Sequence, residues 1–344
     1  MSGWLLTLLQ QVSGNLSNEF TRNTQGAMMN FALTGLAGYV APRHLKAIHD
    51  TGNRLIAAVD PHDSVGIIDR YFPGTSFFTD IERFDRHLEM LRHKNDERSV
   101  DYLSVCSPNH LHDAHVRLAL RLGAHAICEK PLVLNPWNLD ALQQLEQEYE
   151  RCVFTVLQLR LHPQLQSLKV QLADGPGRER HQVLLTYVAP RGTWYRYSWK
   201  GQTEKSGGLA TNIGIHLFDL LIWLFGSVKG SELHLKQDRR ISGFLELERA
   251  DVQWFLSVHG SDLPVQTNGK RTWRSLQLDG HEIEFSSGFE DLHTRIYEQV
   301  LVGAGFDIDD ARPSIELVHQ IRNQEPVKQF RGKPHPLTEH VMPV

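Results

Sequence analysis

Phe31-Ala32-Leu33-Thr34-Gly35-Leu36-Ala37-Gly38-Tyr39-Val40-Ala41 decides the fold, because a short apolar strand here runs into a glycine-bearing turn that opens a helix. Gly35 permits a tight turn, Gly38 removes a side chain where a pyrophosphate must approach, and Ala41 keeps the helix close to the sheet. The start of that helix offers N–H groups and a positive dipole to phosphate. The middle glycine of the G-x-G-x-x-G pattern is replaced by Ala37. A glycine turn alone fits plain structure as well as it fits a cofactor site. Asp60 tips the balance: it ends the next strand, about 20 residues beyond the turn, where a carboxylate accepts hydrogen bonds from an adenosine ribose. That carboxylate selects NAD over NADP. The plainer reading of Asp60 is a turn-starting residue before Pro61.

Outward from this turn, strands and helices alternate. Arg54 to Val59 reads as a strand, Ile81 to His93 as a helix, Asp101 to Val105 as a strand and His112 to Leu122 as a helix, with apolar runs at Ala124 to Cys128 and Cys152 to Leu157. Short apolar runs separated by amphipathic helices are what a parallel sheet covered on both faces requires, so residues 30–160 are expected to form a doubly wound α/β domain. Beyond about residue 160 one helix precedes strands at His181 to Val188, Glu232 to Leu235, Phe244 to Glu248, Val252 to Val258 and Trp273 to Leu278. Helices at Leu209 to Phe225, Leu292 to Val302 and Ser314 to Arg322 would cover one face of a largely antiparallel, open-faced sheet. Residues 161–325 therefore read as an α+β domain. Residues 1–29 read as an extension outside the core, and the proline-bearing tail, residues 326–344, as poorly ordered.

Composition narrows the class. The 344 residues allow about two domains, and 41% hydrophobic with 22% charged residues describes a soluble globular chain. The net charge of −4 comes without a basic block, which removes the electrostatic footprint of a nucleic-acid binder. Three cysteines, Cys106, Cys128 and Cys152, are too dispersed for a disulfide framework or a thiolate metal site, and a reducing cytoplasm fits them. No apolar run reaches the roughly 18 residues of a membrane span.

Ligands sit at the carboxyl ends of parallel strands, and two motifs fall there: Cys106-Ser107-Pro108-Asn109, followed by His112 and His115, and Glu129-Lys130-Pro131. The histidines carry no HExxH and no carboxylate-rich partner segment, so no metal is expected. Lys130 at a strand end would normally be a solvated turn cation, but it shares its sheet edge with Gly35, Asp60 and Asn109. In the second half, Gly207-Gly208 leads into a segment where Asn212, His216 and Asp219 fall at i, i+4 and i+7, one face if the segment is helical. A satisfied core histidine is the plainer reading of His216.

The glycine turn, SPN-x-x-H, EKP and GG-x-x-x-N-x-G-x-H-x-x-D, in this order over residues 30 to 325, resemble the glucose-fructose oxidoreductase, inositol dehydrogenase and MocA family. The family has Asp at the position of Asn212. More narrowly, GLAGYVAPRH, DSVGIID, LSVCSPNHLH, ICEKPLV, LQLRLHP, RGTWY, SWKG, ATNIGIH and DDARPSIELV are similar to a subgroup, the bacterial UDP-N-acetyl-2-amino-2-deoxy-D-glucuronate 3-dehydrogenases of lipopolysaccharide O-antigen synthesis. The subgroup shares the asparagine, which removes one carboxylate from the usual proton relay.

The resemblance implies a Rossmann domain holding NAD through Gly35, Ala37, Gly38, Tyr39, Asp60, Ser107, Asn109, His112, Glu129 and Gln158. It implies catalysis by Lys130, His216 and Asn212 on a sugar hydroxyl, with His216 as base and Lys130 stabilising alkoxide character; the reverse assignment stays open. For an anionic UDP-sugar acid it suggests Arg160, Arg191, Trp194, Tyr195, Lys200 and Thr211 as further contacts, with packing an equal reading for Trp194 and Tyr195. It further implies a homotetramer and a 2-oxo acid as the acceptor that recycles NADH. Two rivals remain: another sugar or cyclitol dehydrogenase of the family, and a non-catalytic NAD(H) sensor on the same fold.

Overall fold

The computed structural model describes residues 27–174, 180–264, 272–285 and 287–341. The extension expected at the N-terminus lies outside the described residues as far as residue 26. The chain divides into two compact units, and neither is one continuous stretch.

The first unit comprises the chain up to Val133 with Trp137–Gln158 and Glu290–Asp310. Its strands are β1 (Asn30–Thr34), β2 (Arg54–Val59), β3 (Ser76–Phe78), β4 (Tyr102–Val105), β5 (His125–Cys128) and β6 (Val153–Thr155), in the order β3-β2-β1-β4-β5-β6. Every pairing is parallel. β1 is buried along its whole length, as a central strand covered on both faces must be. The order steps outward in both directions from β1 and β4, so the chain reverses there, and ligands bind outside the strand ends at such a switch point. Helices α1 (Ala41–Asp50), α2 (Ile81–His93), α3 (His112–Arg121) and α4 (Trp137–Tyr149) connect the strands. The edge strand β3 escaped the sequence reading because three residues carry too little periodicity to register.

The second unit holds residues 134–136, Leu159–Phe289 and 311 onward. Strands β7 (His181–Val188), β8 (Val228–Lys236), β9 (Arg240–Leu247), β10 (Ala250–Ser257), β11 (Trp273–Leu278) and β12 (His281–Glu282) form a sheet in the order β12-β11-β7-β10-β9-β8. Among the described residues only the β10–β7 pair of this sheet is parallel; the other pairings are antiparallel. Helix α5 (Pro163–Asp174) precedes this sheet, and α6 (Ile215–Phe225) lies on one of its faces, with Phe218 edge-on to Trp254 at 5.2 Å. By length and composition, Thr203–Phe225 could cross a membrane, yet most of it is buried within the protein, as a core helix is.

Two expectations are corrected. The helix expected at Leu292 to Val302, now α7 (Leu292–Leu301), belongs to the first unit: its Tyr297 stacks on Phe31 of β1, with ring centroids 5.6 Å apart. After α8 (Ile308–Asn323), the tail expected to be poorly ordered is built into the second unit as far as residue 341. Val327 N–H donates to the Leu233 carbonyl at 2.9 Å, and the Glu232 carboxylate accepts from the Arg331 and Gly332 amides. Helix α9 (Pro336–Val341) then sets Leu337 and Val341 on Val188, Leu235 and Phe255, while Thr338 donates to Ser242 at 2.7 Å. Phe255 alternates with Trp254 along β10, so this strap lies on the face opposite α6. Proline content suggested disorder, but two well-placed apolar residues and a carboxylate anchor outweigh it.

Candidate active site

In the first unit the predicted cofactor residues gather at the carboxyl ends of the parallel strands. Gly35 follows β1 with φ of 83°, and a Cβ there would stand 2.6 Å from the Cys106 carbonyl and the Ser107 nitrogen, so only glycine fits. Its N–H reaches the Val59 carbonyl at 2.8 Å, closing the turn across two strands. Gly38 leads into α1, whose N-terminus has no side-chain cap. Ala37 is exposed, so its methyl group meets no obstacle where the usual pattern has glycine. Tyr39 is 79% exposed beside Arg43.

Asp60 is buried at the end of β2: Oδ1 accepts from the His62 amide at 2.9 Å, as a turn-starting aspartate would, and Oδ2 accepts from Ala37 N–H of the glycine turn at 3.0 Å. A carboxylate has about four acceptor sites, leaving room for ribose hydroxyls.

The SPN and EKP loops are fastened to each other by His112. Its Nδ1 meets the Pro131 carbonyl and its Nε2 the Ser107 carbonyl, each at 2.7 Å. Burial lowers its pKa, and the two carbonyls oppose that. Ser107 pairs with His115 Nδ1 at 2.8 Å, and burial drives His115 down to about 4. His112 and Ser107 thus shape the loop, with Asn109 buried beside them.

Glu129 is held inward. Its Oε1 accepts from His293 Nε2 at 2.9 Å and His44 Nε2 at 3.2 Å, while the Lys130 amide reaches Oε2 at 3.2 Å. Burial pushes its carboxyl up, but hydrogen bonds from His293 and His44 outweigh that and hold it well below the usual carboxylate range. His44 in turn loses proton affinity to burial. Tyr297 donates to His44 Nδ1 at 2.7 Å and takes the Ser104 hydroxyl at 2.6 Å, which completes a chain of satisfied groups. The Lys130–Pro131 peptide is cis. The sequence reading missed His44, His293, Tyr297 and Ser104, since only the fold brings residues 164 positions apart together.

These residues fit an NAD molecule on three structural counts: the Gly35 cradle that a Cβ would fill, the uncapped N-terminus of α1, and the buried Thr34 Oγ1 and Gln158 Oε1, which have no hydrogen-bond partner among the described residues.

In the second unit, Asn212 does not continue α6 as one regular helix. Ala210–Gly214 is a π-helical turn, and α6 begins at Ile215. Such turns widen the backbone locally and often mark functional sites. Gly207, with φ of 79°, leaves the space that Thr211 fills, since a Cβ would lie 2.6 Å from it. Thr211 is fully buried and its hydroxyl has no partner among the described residues. The Asn212 side chain hydrogen-bonds Tyr195, whose pKa is raised by burial and lowered in turn by that bond. Lys200 Nζ lies over the rings of Trp194 and Trp199 at 5.9 and 5.7 Å; burial, then Arg191, lowers its pKa. Two cations beside indole rings and a tyrosine make an anion-receptive surface with flat faces. Trp199 was overlooked in sequence.

Arg160, expected as a substrate contact, is also paired within the protein. It is 8% exposed and forms a two-pronged pair with Asp219, Nε to Oδ2 at 3.1 Å and Nη2 to Oδ1 at 2.7 Å. Those two donors are spent on structure.

The chain belongs to the oxidoreductase family whose NAD-binding Rossmann-fold model matches residues 29–157 and whose C-terminal alpha/beta-domain model matches residues 182–254. The first unit is an NAD-binding Rossmann domain. Among solved structures, the chain is similar to the WlbA (WbpB) dehydrogenase of Thermus thermophilus in complex with NAD and UDP-GlcNAcA: 50% identity, 90% of this chain and 100% of that one covered, TM-score 0.86. The same enzyme has been solved with NAD and alpha-ketoglutarate. The WlbA dehydrogenase of Bordetella pertussis, 18% identical with a TM-score of 0.70 and covering 86% of this chain and 94% of that one, shares the fold. Among curated relatives, D-glucoside 3-dehydrogenase of Escherichia coli is 26% identical over 39% of this chain and 39% of its own length. Myo-inositol 2-dehydrogenase of Thermotoga maritima is 26% identical over 38% of each. The chain thus spans about two fifths of the length of these two curated relatives.

Proposed function

We propose that this chain oxidises the C3 hydroxyl of UDP-N-acetyl-2-amino-2-deoxy-D-glucuronate to the 3-keto sugar, with NAD+ as oxidant. The observation that carries this reading is the 50% identity, over the full length of the solved chain, to a dehydrogenase crystallised with NAD and UDP-GlcNAcA. The site chemistry agrees with it. Oxidising a secondary alcohol needs a base within hydrogen-bond reach of the hydroxyl. His216 serves as that base, Lys130 stabilises the developing alkoxide, and Asn212, its amide held by Tyr195, orients the hydroxyl. NAD+, when bound, accepts the hydride. Arg191 and Lys200 meet the anionic part of the nucleotide sugar, and Thr211, with a buried hydroxyl still to be satisfied, takes a further polar group. A 2-oxo acid recycles NADH, as the alpha-ketoglutarate complex of the Thermus thermophilus enzyme suggests. The product enters O-antigen sugar synthesis in the cytoplasm, and the working form is a homotetramer.

The test uses UDP-N-acetylglucosaminuronate carrying deuterium at C3, with NAD+ and mass spectrometry of both products. Deuterium on the nicotinamide and a keto sugar two mass units lighter than the unlabelled alcohol support the reading; a label retained on the sugar refutes it. NADH binding without turnover of any nucleotide sugar would favour the sensor.

A further inference from the structure

The cluster of His44, Glu129, His293 and Tyr297 touches none of the steps just assigned. It lies wholly within the first unit. His44 stands in the first turn of α1, directly after the glycine turn, and His293 in the first turn of α7. Both imidazoles converge on one oxygen of Glu129, the residue before Lys130, and the Lys130 amide donates to the other oxygen. A single carboxylate therefore fastens two helices to the strand end that carries the lysine.

Burying an ionised carboxylate with two histidines is costly, and apolar residues of similar volume would pack the same space at lower cost. Such a network is justified by what it orients. We propose that His293 and His44 are positioning residues for Lys130: they hold the Glu129 carboxylate in one orientation, and Glu129 fixes the main chain from which the lysine projects. This rests on the reading that Lys130 acts on the substrate. The three ligand atoms of His44, Glu129 and His293 lie within 4.8 Å of one another, which a metal ion would also require. Each is already engaged in a hydrogen bond within a complete donor chain from Ser104 through Tyr297 and His44 to Glu129. The titratable and charged groups around this carboxylate are His44 and Arg43 on α1, His293 and Tyr297 on α7, His112 on α3, and Cys106, Cys128 and Lys130 at the strand ends.

The experiment compares the full chain with His293→Leu, His293→Gln and His293→Asn. Leucine removes the donor, glutamine places an N–H near the former Nε2, and asparagine keeps polarity while withdrawing the donor. A displacement of about 1 Å at a reacting group costs on the order of 100-fold. His293→Leu should therefore lower kcat roughly tenfold to a hundredfold, with KM for NAD+ little changed. The acid limb of kcat should move to higher pH, because a carboxylate with fewer donors protonates more readily. Glutamine should restore both, and asparagine, the variant to use if leucine does not fold, should fall between them. A second readout needs no turnover: the rate at which limiting acetic anhydride acetylates Lys130, followed by peptide mass spectrometry, should change in His293→Leu and return in His293→Gln. If the wild type turns over no nucleotide sugar while this reactivity still shifts, the functional reading falls and the positioning role stands. A folded His293→Leu with wild-type kcat, pH profile and Lys130 reactivity would overturn the proposal. One equivalent of transition metal in the purified protein would do the same.

Discussion

Replacing Asp219 by alanine tests whether the Arg160 pair is as dry as its geometry says. Both side chains are nearly inaccessible, at 8% and 3% exposure, and the two hydrogen bonds of 3.1 and 2.7 Å fix the guanidinium against the carboxylate. With charge centres about 4 Å apart and an effective dielectric near 20, the Coulomb term is about 4 kcal/mol. Removing one partner of such a pair leaves a buried charge uncompensated, and the usual cost is about 3–5 kcal/mol. Asp219→Ala should therefore lose that much in urea unfolding, seen as a lower midpoint at an unchanged slope. The double change Arg160→Met with Asp219→Leu should recover most of the loss, since apolar groups of similar volume replace the pair without a desolvation cost. A loss below about 1 kcal/mol for Asp219→Ala, the value of an exposed pair, would refute the burial on which the reasoning depends.

Three further outcomes are expected. Gly35→Ala would force a Cβ to within 2.6 Å of the Cys106 carbonyl at a φ of 83°, so NADH affinity measured by fluorescence should fall at least tenfold and thermal stability should drop; unchanged binding would remove the turn from the cofactor site. Asp60→Ser should narrow the preference for NADH over NADPH in paired titrations, because it removes a carboxylate that repels a 2′-phosphate; a wild type that binds NADPH as tightly would contradict this. His115 and His335, both lowered by burial from 6.5 to about 4, are neutral in the fold and take up protons on unfolding. Their stabilising contribution is complete above pH 6.5 and is lost as pH falls toward 4, at most about 3 kcal/mol each; scanning calorimetry should show Tm falling across that window, and His335→Leu should flatten the fall.

The parallel half was legible because its signals are local. A strand, a glycine turn and a helix follow one another within residues 31 to 50, and Asp60 can be located by counting. The antiparallel strands were legible from alternation, though β8 begins at Val228 and β9 at Arg240, several residues before their apolar stretches. Sequence could not show which unit claims each later segment. The periodicity of α7 says that it has an apolar face and nothing about where that face goes; Tyr297 reaching His44 and Ser104 settles it. Asn212 and His216 were placed on one helical face by assuming 3.6 residues per turn, and the π-helical turn at Ala210–Gly214 breaks that count. Arg160 drew attention as a cation in a motif; its pairing with Asp219, 59 residues away, is a contact that charge alone could not reveal.

The discontinuity of the first unit sets an order on its synthesis. Glu129 and His293 are 164 residues apart, so at about 5–20 residues per second the ribosome needs on the order of 10–30 s to deliver the second histidine after the carboxylate has emerged. During that interval the parallel sheet can assemble, but Glu129 lacks its 2.9 Å donor and α1 lacks the helix that packs against it. A carboxylate short of one donor resists burial, which keeps the strand end carrying Lys130 open to solvent in the nascent chain. Closure of the nucleotide-binding half therefore waits until Leu292–Leu301 has been made, and a message truncated before residue 290 yields a sheet that cannot finish its own floor.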